Sequence, residues 1–533
     1  MSLSLLSRYA FFAACVLFTL ASLPFSHHEW LWPFTLTTAI LSLIGLFDLL
    51  QQRHAVRRNY PILGNIRYLV EAIRPEIRQY LLESDSDALP FSRAQRSLVY
   101  ARAKNEASDK PFGTLIDVYE SGFEFIGHSM RPASFRVIVG GPQCSQPYSA
   151  SIFNISAMSF GSLSANAIRA LNQGAKLGNF HHDTGEGSIS PYHREHGGDL
   201  VWELGSGYFG CRTPDGRFDP ERFAAQARSP QVRMIEIKMS QGAKPGHGGI
   251  LPKHKVTQEI AETRGVLMGE DCISPSRHSA FSTPIEMMQF IAQLRELSGG
   301  KPVGFKFCLG HPWEFMGIAK AMLETGILPD FIVVDGKEGG TGAAPVEFTD
   351  HIGVPLREGL LFVHNTLVGL NLRDKIKLGA SGKIVSAFDI ASVLAIGADW
   401  ANSARGFMFA IGCIQSQSCH TNKCPTGVAT QDPLRQRALV VPDKAQRVLN
   451  FHHNTLRALA EMLAAAGLEH PAQLEAKHLV RRISATEIKL FSQMHVFLKP
   501  GELLTGEVNG QFYSRMWQLA RADSFEPHSE VAA

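Results

Sequence analysis

The sequence predicts a (β/α)8 barrel preceded by a two-helix transmembrane hairpin. Three observations carry that reading. From about residue 150 to 430, short β-rich runs alternate with helical stretches, the pattern of parallel strands covered by helices. Many of the 47 glycines cluster directly after those runs, where a barrel opens its site at the C-terminal strand ends. The first fifty or so residues hold two apolar stretches of roughly bilayer-spanning length. A doubly wound open sheet is the alternative for the repeated units.

Taken in order, Tyr9 to Phe25 is uncharged and mostly apolar, and Leu31 to Leu50 is the second such stretch. Trp30 and Trp32 fall at the break, where aromatic belts sit, and Asp48 lies near the end of the second stretch, within reach of the interface. Arg53, Arg57 and Arg58 follow, then Arg67, Arg74 and Arg78. This positive flank puts the exit of the second helix on the cytoplasmic side of the inner (cytoplasmic) membrane. A cleaved signal peptide is the rival reading, but only Arg8 precedes the first stretch and no A-x-A site closes it. The hairpin is assigned to residues 1–52, and residues 53–149 to a connector whose first part is basic and amphipathic.

The barrel is assigned to residues 150–467. Strand candidates are NISAMSF (154–160), MIEIKMS (234–240), VGFKFC (303–308), FIVVDG (331–336), IKLGA (376–380) and ADWANSA (398–404). Helical patterns cover residues 161–178, Pro284 to Leu297, Glu314 to Glu324, Pro355 to Leu372 and Ala387 to Ile396. Residues 468–533 form a C-terminal extension without a readable signature, and its last ten residues read as disordered.

A formal net charge of +3 on 533 residues gives no argument for nucleic acid binding. The eight cysteines form no disulfide framework, which points to a reducing compartment. Three of them are concentrated: Cys413, Cys419 and Cys424 stand in GCIQSQSCHTNKCPTGVATQ, a C-x5-C-x4-C spacing. Thiolates converging on one irregular loop suit an iron–sulfur cluster, and three ligands rather than four suit 3Fe-4S. Structural zinc prefers paired C-x2-4-C units, and no CxxC is present; a zinc site or a set of buried apolar cysteines remains the alternative.

Loops after the strand candidates carry the remaining signals. Ala157, Met158 and Ser159 are small or flexible enough to let a flat ring lie against backbone. Glu186, Lys244, Lys306 and Lys337 each lie within or just after a β-rich run. ASGK (380–383) precedes a helix, so its free amides suit a phosphate, and Arg405 could pair with the same group.

In order along the chain, SAMSFGSLS, DTGEGS, IEIKMSQGAKPGHGG, HKVTQEIAETRGV, GGTGAAP and the cysteine motif resemble the FMN-binding synthase domain of glutamate synthases. The resemblance spans roughly residues 150 to 467. It implies a (β/α)8 barrel with FMN beside a 3Fe-4S cluster, and reductive amination of 2-oxoglutarate through a 2-imino acid. It implies Cys413, Cys419 and Cys424 as cluster ligands, and Glu186, Lys244 and Arg264 on the substrate side. Ala157, Met158, Ser159, Lys306, Gly382 and Arg405 are implied on the flavin side.

The chain departs from the family pattern at Ile250, where a glutamine is expected, at His247, where an acidic residue is expected, and at Asp183, where asparagine is expected. ASGK stands for DGG, and NSARG for GFGS. A lost glutamine leaves part of a polar substrate unpaired, so a related 2-oxo acid stands beside 2-oxoglutarate. No glutaminase nucleophile begins the chain, and the G-x-G-x-x-G spacing occurs only as Gly205–Gly210 inside the barrel span, so no separate dinucleotide-binding domain is expected. Ammonia or an amine is therefore expected from elsewhere, and electrons from a ferredoxin, a flavoprotein or a quinol. The competing function is a membrane-anchored FMN and iron–sulfur electron-transfer module without keto-acid chemistry.

Overall fold

The computed structural model describes residues 3–25, 28–51, 55–77, 90–106, 114, 116–126, 135–341, 344–506 and 511–528. The chain divides into two compact units, Met1–Asp87 and Ala88–Ala533.

In the first unit both apolar stretches are helical, Leu3–Ser22 and Trp32–Leu50. Their shared seam is lined with hydroxyls. Thr19 Oγ1 donates to Thr38 Oγ1 at 2.9 Å, and Thr35 Oγ1 to Ser22 Oγ at 2.9 Å. Among the described residues only Trp32–Leu50 is both long and apolar enough to cross a bilayer; the apolar run Tyr9–Phe25 is shorter. The expected pair of spans thus rests on one qualifying helix. Asp48 does not reach outward. It is 1% exposed and accepts from the Ile62 amide at 3.0 Å and from Asn65 Nδ2. Arg53 and Arg78 lie outside the described residues.

The second unit is built on a closed barrel of eight parallel strands: β1 Phe153–Ile155, β2 His182–Asp183, β3 Leu200–Leu204, β4 Val232–Lys238, β5 Val303–Phe307, β6 Phe331–Asp335, β7 Lys377–Ser381 and β8 Trp400–Ser403. Closure is explicit in the register of β8 on β1, with Ala401 opposite Phe153 and Ser403 opposite Ile155. That pairing removes the edges an open sheet would keep, so the doubly wound alternative fails. β3 and β5 are buried at every residue, as expected of parallel strands covered on both faces.

The helices between strands begin and end on ordinary capping chemistry. Pro284–Leu297 starts on a Thr283/Glu286 capping box, and Ala387–Ala395 on a Ser386/Asp389 box. Pro312–Thr325 stops at Gly326 in the left-handed region. Three strands differ from the sequence reading. β1 ends at Ile155, so SAMSF is loop, and β2 and β3 are additional to the strand candidates, which makes QGAKPGHGG the loop after the fourth strand.

Segments flanking the barrel pack onto it. Helix Arg93–Lys104 contacts helices Arg405–Ala410 and Val441–Ala465. Strand Leu479–Arg482 pairs with Glu124–Ile126, and Asn365 Nδ2 donates to Val496 O and Tyr513 Oη, both at 2.7 Å. Of the last ten residues, His528 is tied back to Leu519 O at 2.9 Å, and 529–533 lie outside the described residues.

Candidate active site at the barrel mouth

All eight strands run the same way, so the loops after them gather at one end. They interlock tightly there. The Gly242 amide donates to Asp335 Oδ2 at 2.8 Å, and a Cβ on Gly242 would lie 1.8 Å from Gly336 O. Only glycine lets the β4 and β6 loops pass this closely. Ala157 and Ser159 are half-buried and Met158 is buried in the loop after β1, with Ser159 Oγ 3.0 Å from Ser162 Oγ.

Glu186, in the β2 loop, is held by Lys238 from the end of β4. Lys238 Nζ lies 2.9 Å from Glu186 Oε1, and Ser274 Oγ donates to Oε2 at 3.1 Å. A Cβ on Gly205 or Gly249 would come within 2.8 or 2.5 Å of this carboxylate, so two side-chain-free positions make room for it. Burial alone raises the Glu186 carboxyl, but Lys238, Arg264 and the Ser274 hydroxyl together hold it at about 2. Beside it is a cavity of about 20 Å³, bordered by Lys238, Gln241, His247 and Ser276. That is room for one water- or ammonia-sized molecule.

Lys244 follows in the loop after β4 and is 5% exposed. Burial and the nearby Lys238 push its ammonium down, with Glu186 opposing. Arg264 ends helix Gln258–Arg264 and is 4% exposed. Its guanidinium donates to Phe160 O at 2.9 Å and lies over the Phe209 ring at 5.2 Å, while Nε has no partner. On its outer side a cavity of about 460 Å³ is bordered by Arg194, Arg212 and Arg222 as well. The structure therefore brings Glu186 and Arg264 into one electrostatic neighbourhood, with Lys244 beside Glu186.

Of the two departures near this loop, His247 borders the Glu186 cavity and Ile250 does not. Ile250 is 47% exposed and pairs with Ile273 in a two-residue ladder. Lys337 is spent on the backbone, donating to Asp350 O at 2.5 Å.

Lys306 lies inside the barrel at 5% exposure, paired with Glu203 of β3 and 3.5 Å from Glu236 Oε2 of β4. Burial would lower its ammonium, but these two carboxylates, with Asp183 and Asp335, hold it well above its ordinary range. On the opposite side, Gly382 follows β7, with Lys383 next to it at φ 51°. Arg405 begins the helix after β8 and donates to Thr341 O at 3.1 Å. Burial lowers the Lys383 ammonium; Glu338 raises it and Arg405 lowers it further, so all three charges share one corner. A cationic corner of loop amides suits a phosphate.

The thiol loop adjoins this corner. Cys413 and Cys424 are buried and Cys419 is half-buried. Gln415, Gln417 and Asn422 all take positive φ, an unusual density of left-handed residues without glycine. Burial pushes the Cys413 thiol up to about 11, opposed by the Gln415 backbone and Arg405. Cys424 is also raised by burial, yet the amides of Ala429, Thr426 and Val428 and the Thr426 hydroxyl carry it below its ordinary value. Lys255 Nζ donates to Cys419 O at 3.0 Å. Among the described residues the three sulfurs do not meet within 4.8 Å of one another. A single zinc ion with sulfurs at about 2.3 Å would draw them closer than that. The donor set, the amides and the cations fit a larger anionic cluster.

Residues 141–469 match the model described as the conserved region in glutamate synthase. The chain belongs to the glutamate synthase family. It is 36% identical over 502 residues to the glutamate synthase large subunit-like protein YerD of Bacillus subtilis, covering 85% of this chain and 95% of that one. It is 34% identical over 313 residues to an archaeal-type glutamate synthase (NADPH) of Thermotoga neapolitana, of which it spans 58%. A solved flavocytochrome b2 variant with pyruvate bound superimposes with a TM-score of 0.40 at 12% identity over 84% of this chain and 91% of that one, too loosely to bear on chemistry. The family is one of oxidoreductases acting on CH–NH2 donors.

Sequence reasoning missed several groups of this glutamate synthase-family site. Lys238, Ser274 and the interior carboxylates Glu203 and Glu236 carry no mark in the sequence reading, and Asp183 stands there only as a departure from the family pattern. The signal for Lys238 was present: it ends a β-rich run, as Glu186 and Lys244 follow theirs. The interior acids gave no such signal, because an acidic residue in a strand reads as solvent-facing until closure is known.

Proposed function

We propose that this glutamate synthase-family protein carries out FMN-dependent reductive amination of 2-oxoglutarate or a related 2-oxo acid. The observation that carries the reading is the Glu186–Lys238–Ser274 cluster beside an ammonia-sized cavity, with Lys244 and Arg264 close by. A carboxylate ionised across the physiological range can accept a hydrogen bond from, or a proton of, an ammonium. Lys244 and Arg264 supply two cations for a dicarboxylate, the unpartnered Arg264 Nε leaving one donor to offer. When bound, FMN supplies a hydride and a 3Fe-4S cluster passes single electrons to it.

The loop amides and cations at Gly382, Lys383 and Arg405 would hold the flavin phosphate; Ala157, Met158 and Ser159 would border its ring. Cys413, Cys419 and Cys424 would ligate the cluster, with Lys255 and Arg405 offsetting its charge. Trp32–Leu50, with the apolar run before it, would anchor the protein in the cytoplasmic membrane with its barrel in the cytoplasm. Nitrogen would come as ammonia or an amine, and electrons from a ferredoxin, a flavoprotein or a quinol. The second reading is an electron relay without keto-acid turnover, favoured by His247 at the edge of the Glu186 cavity.

The test is anaerobic. The detergent-purified protein is assayed for flavin and iron, reduced, freed of reductant, and mixed with 2-oxoglutarate, ammonium, or both. Flavin reoxidation only with both, yielding glutamate, supports the synthase. A fully loaded protein that a quinone or ferredoxin reoxidises, but keto acid with ammonium does not, supports the relay.

A further inference from the structure

The barrel interior holds charge that the reading above leaves unused. Carboxylate oxygens of Asp183, Glu203 and Glu236 lie within 4.8 Å of one another, in residues only 1 or 2% exposed. Asp335 of β6 adds a fourth carboxyl to the same field, accepting from the Gly242 amide. Among the described residues the cation facing them is Lys306, on β5. His182, next to Asp183 on β2, lies tilted against His193 with centroids 5.2 Å apart, and burial holds it neutral, at about 3. Four carboxylates against one ammonium would leave three uncompensated charges. Each buried, unpaired charge costs several kcal/mol, so the set must hold protons. Lys306 pairs most closely with Glu203, which leaves Asp183 and Glu236 with oxygens within 4.8 Å of each other and Glu236 Oε2 without a hydrogen-bond partner. Two carboxyls this close and this buried are relieved by a proton held between them.

We propose that Asp183 and Glu236 form a proton-binding pair that stores one proton inside the barrel and releases it during turnover. The inference rests on the proposed reading for the use of that proton, not for its existence. Converting a 2-oxo acid and ammonium to an amino acid and water consumes two electrons and two protons. A one-electron donor brings no proton, so each must come from elsewhere. Release is the step in which the pair passes from one carboxylic acid and one carboxylate to two carboxylates, with the proton leaving toward the mouth. Lys306, in contact with Glu236, links the pair to charge arriving there. Asp183 and Glu236 act through that link as positioning and proton-holding residues.

The experiment is infrared difference spectroscopy on the full-length protein in detergent, titrated from pH 5 to 9. The expected result is a protonated-carboxyl stretching band that loses amplitude as pH rises across that range, since burial and Glu203 push the Asp183 carboxyl up to about 7 and burial with Asp183 raises Glu236 well above its ordinary value. Asp183→Asn and Glu236→Gln should each remove that band. The wild-type titration needs no variant to fold. No titrating carboxyl band in the wild type, or a band that persists in both variants, overturns the proposal. On the flavin-loaded protein, the pH slope of the midpoint potential should lose one proton in Asp183→Asn. A protein that shows the band but binds no flavin leaves the pair standing and sinks the functional reading instead.

Discussion

Asp183 and Glu186 stand three residues apart, Asp183 buried and Glu186 half-buried, and they are driven in opposite directions. Glu186 is one carboxylate facing Lys238 and Arg264, and it is held at about 2. Asp183 is one of several carboxyls sharing Lys306, and it is pushed up to about 7. Burial acts the same way on both; the ratio of acids to cations decides the outcome. One strand and its loop thus offer a permanent anion at the mouth and a proton-bearing acid in the interior, the separation that acid–base chemistry needs.

The largest expected effect comes from removing the cation on the crowded side. Lys306→Met leaves Glu203, Glu236 and Asp183 without a counter-charge and should destabilise the protein by about 3–5 kcal/mol at pH 8. Part of that loss should return at pH 5, where the acids take protons; urea unfolding at both pH values measures it. Equal destabilisation at both would mean that the lysine acts by packing alone.

On the other side, Lys238→Met should cut turnover by about 100-fold while leaving flavin content unchanged. Because Lys238 holds the Glu186 carboxyl down, its loss should move the acid limb of the pH–rate profile upward. An unmoved limb would detach Glu186 from the chemistry.

The comparison also fixes the sign of stability against pH. Asp183 is raised from 3.8 to about 7, so its contribution is complete below pH 3.8 and is lost as pH rises through 7. Glu186 is lowered from 4.5 to about 2, so its contribution is present above pH 4.5 and is lost as pH falls toward 2. Thermal unfolding should therefore show a decline from pH 6 to 8 that Asp183→Asn reduces by at least about 2 °C. The smallest effect is expected at Ile250. It is half exposed and off the cavity, so Ile250→Gln should change KM for the keto acid by no more than about twofold.

How much was legible in the sequence follows from the same physics. β4 to β8 announced themselves as apolar runs, and Pro284–Leu297 as a helix with proline at its start and a Thr–Glu box. β2 could not be read, since it is two polar residues, His182 and Asp183, that count as strand only through neighbours on either side. The thiol loop and Glu186 were legible because cysteine spacing and a glycine-framed glutamate are local signals. Lys306 was read toward the flavin, but its partners Glu203 and Glu236 come from other strands, so its engagement inside the barrel was not readable. Ile250 was weighted as a substrate position on its place in a motif, and only the fold shows it turned outward.

The thiol loop is fastened by residues far away along the chain. Tyr100 Oη donates to Cys413 O at 2.7 Å, and Phe91 and Tyr100 meet Phe409 edge-on. The Tyr100 contact closes 313 residues. Closing a loop that long is among the slow, late events of folding, after the local strand–helix units have formed. On that ordering the three thiols would stay reachable until both ends of the barrel unit meet, and the proposed cluster would have to be loaded before then.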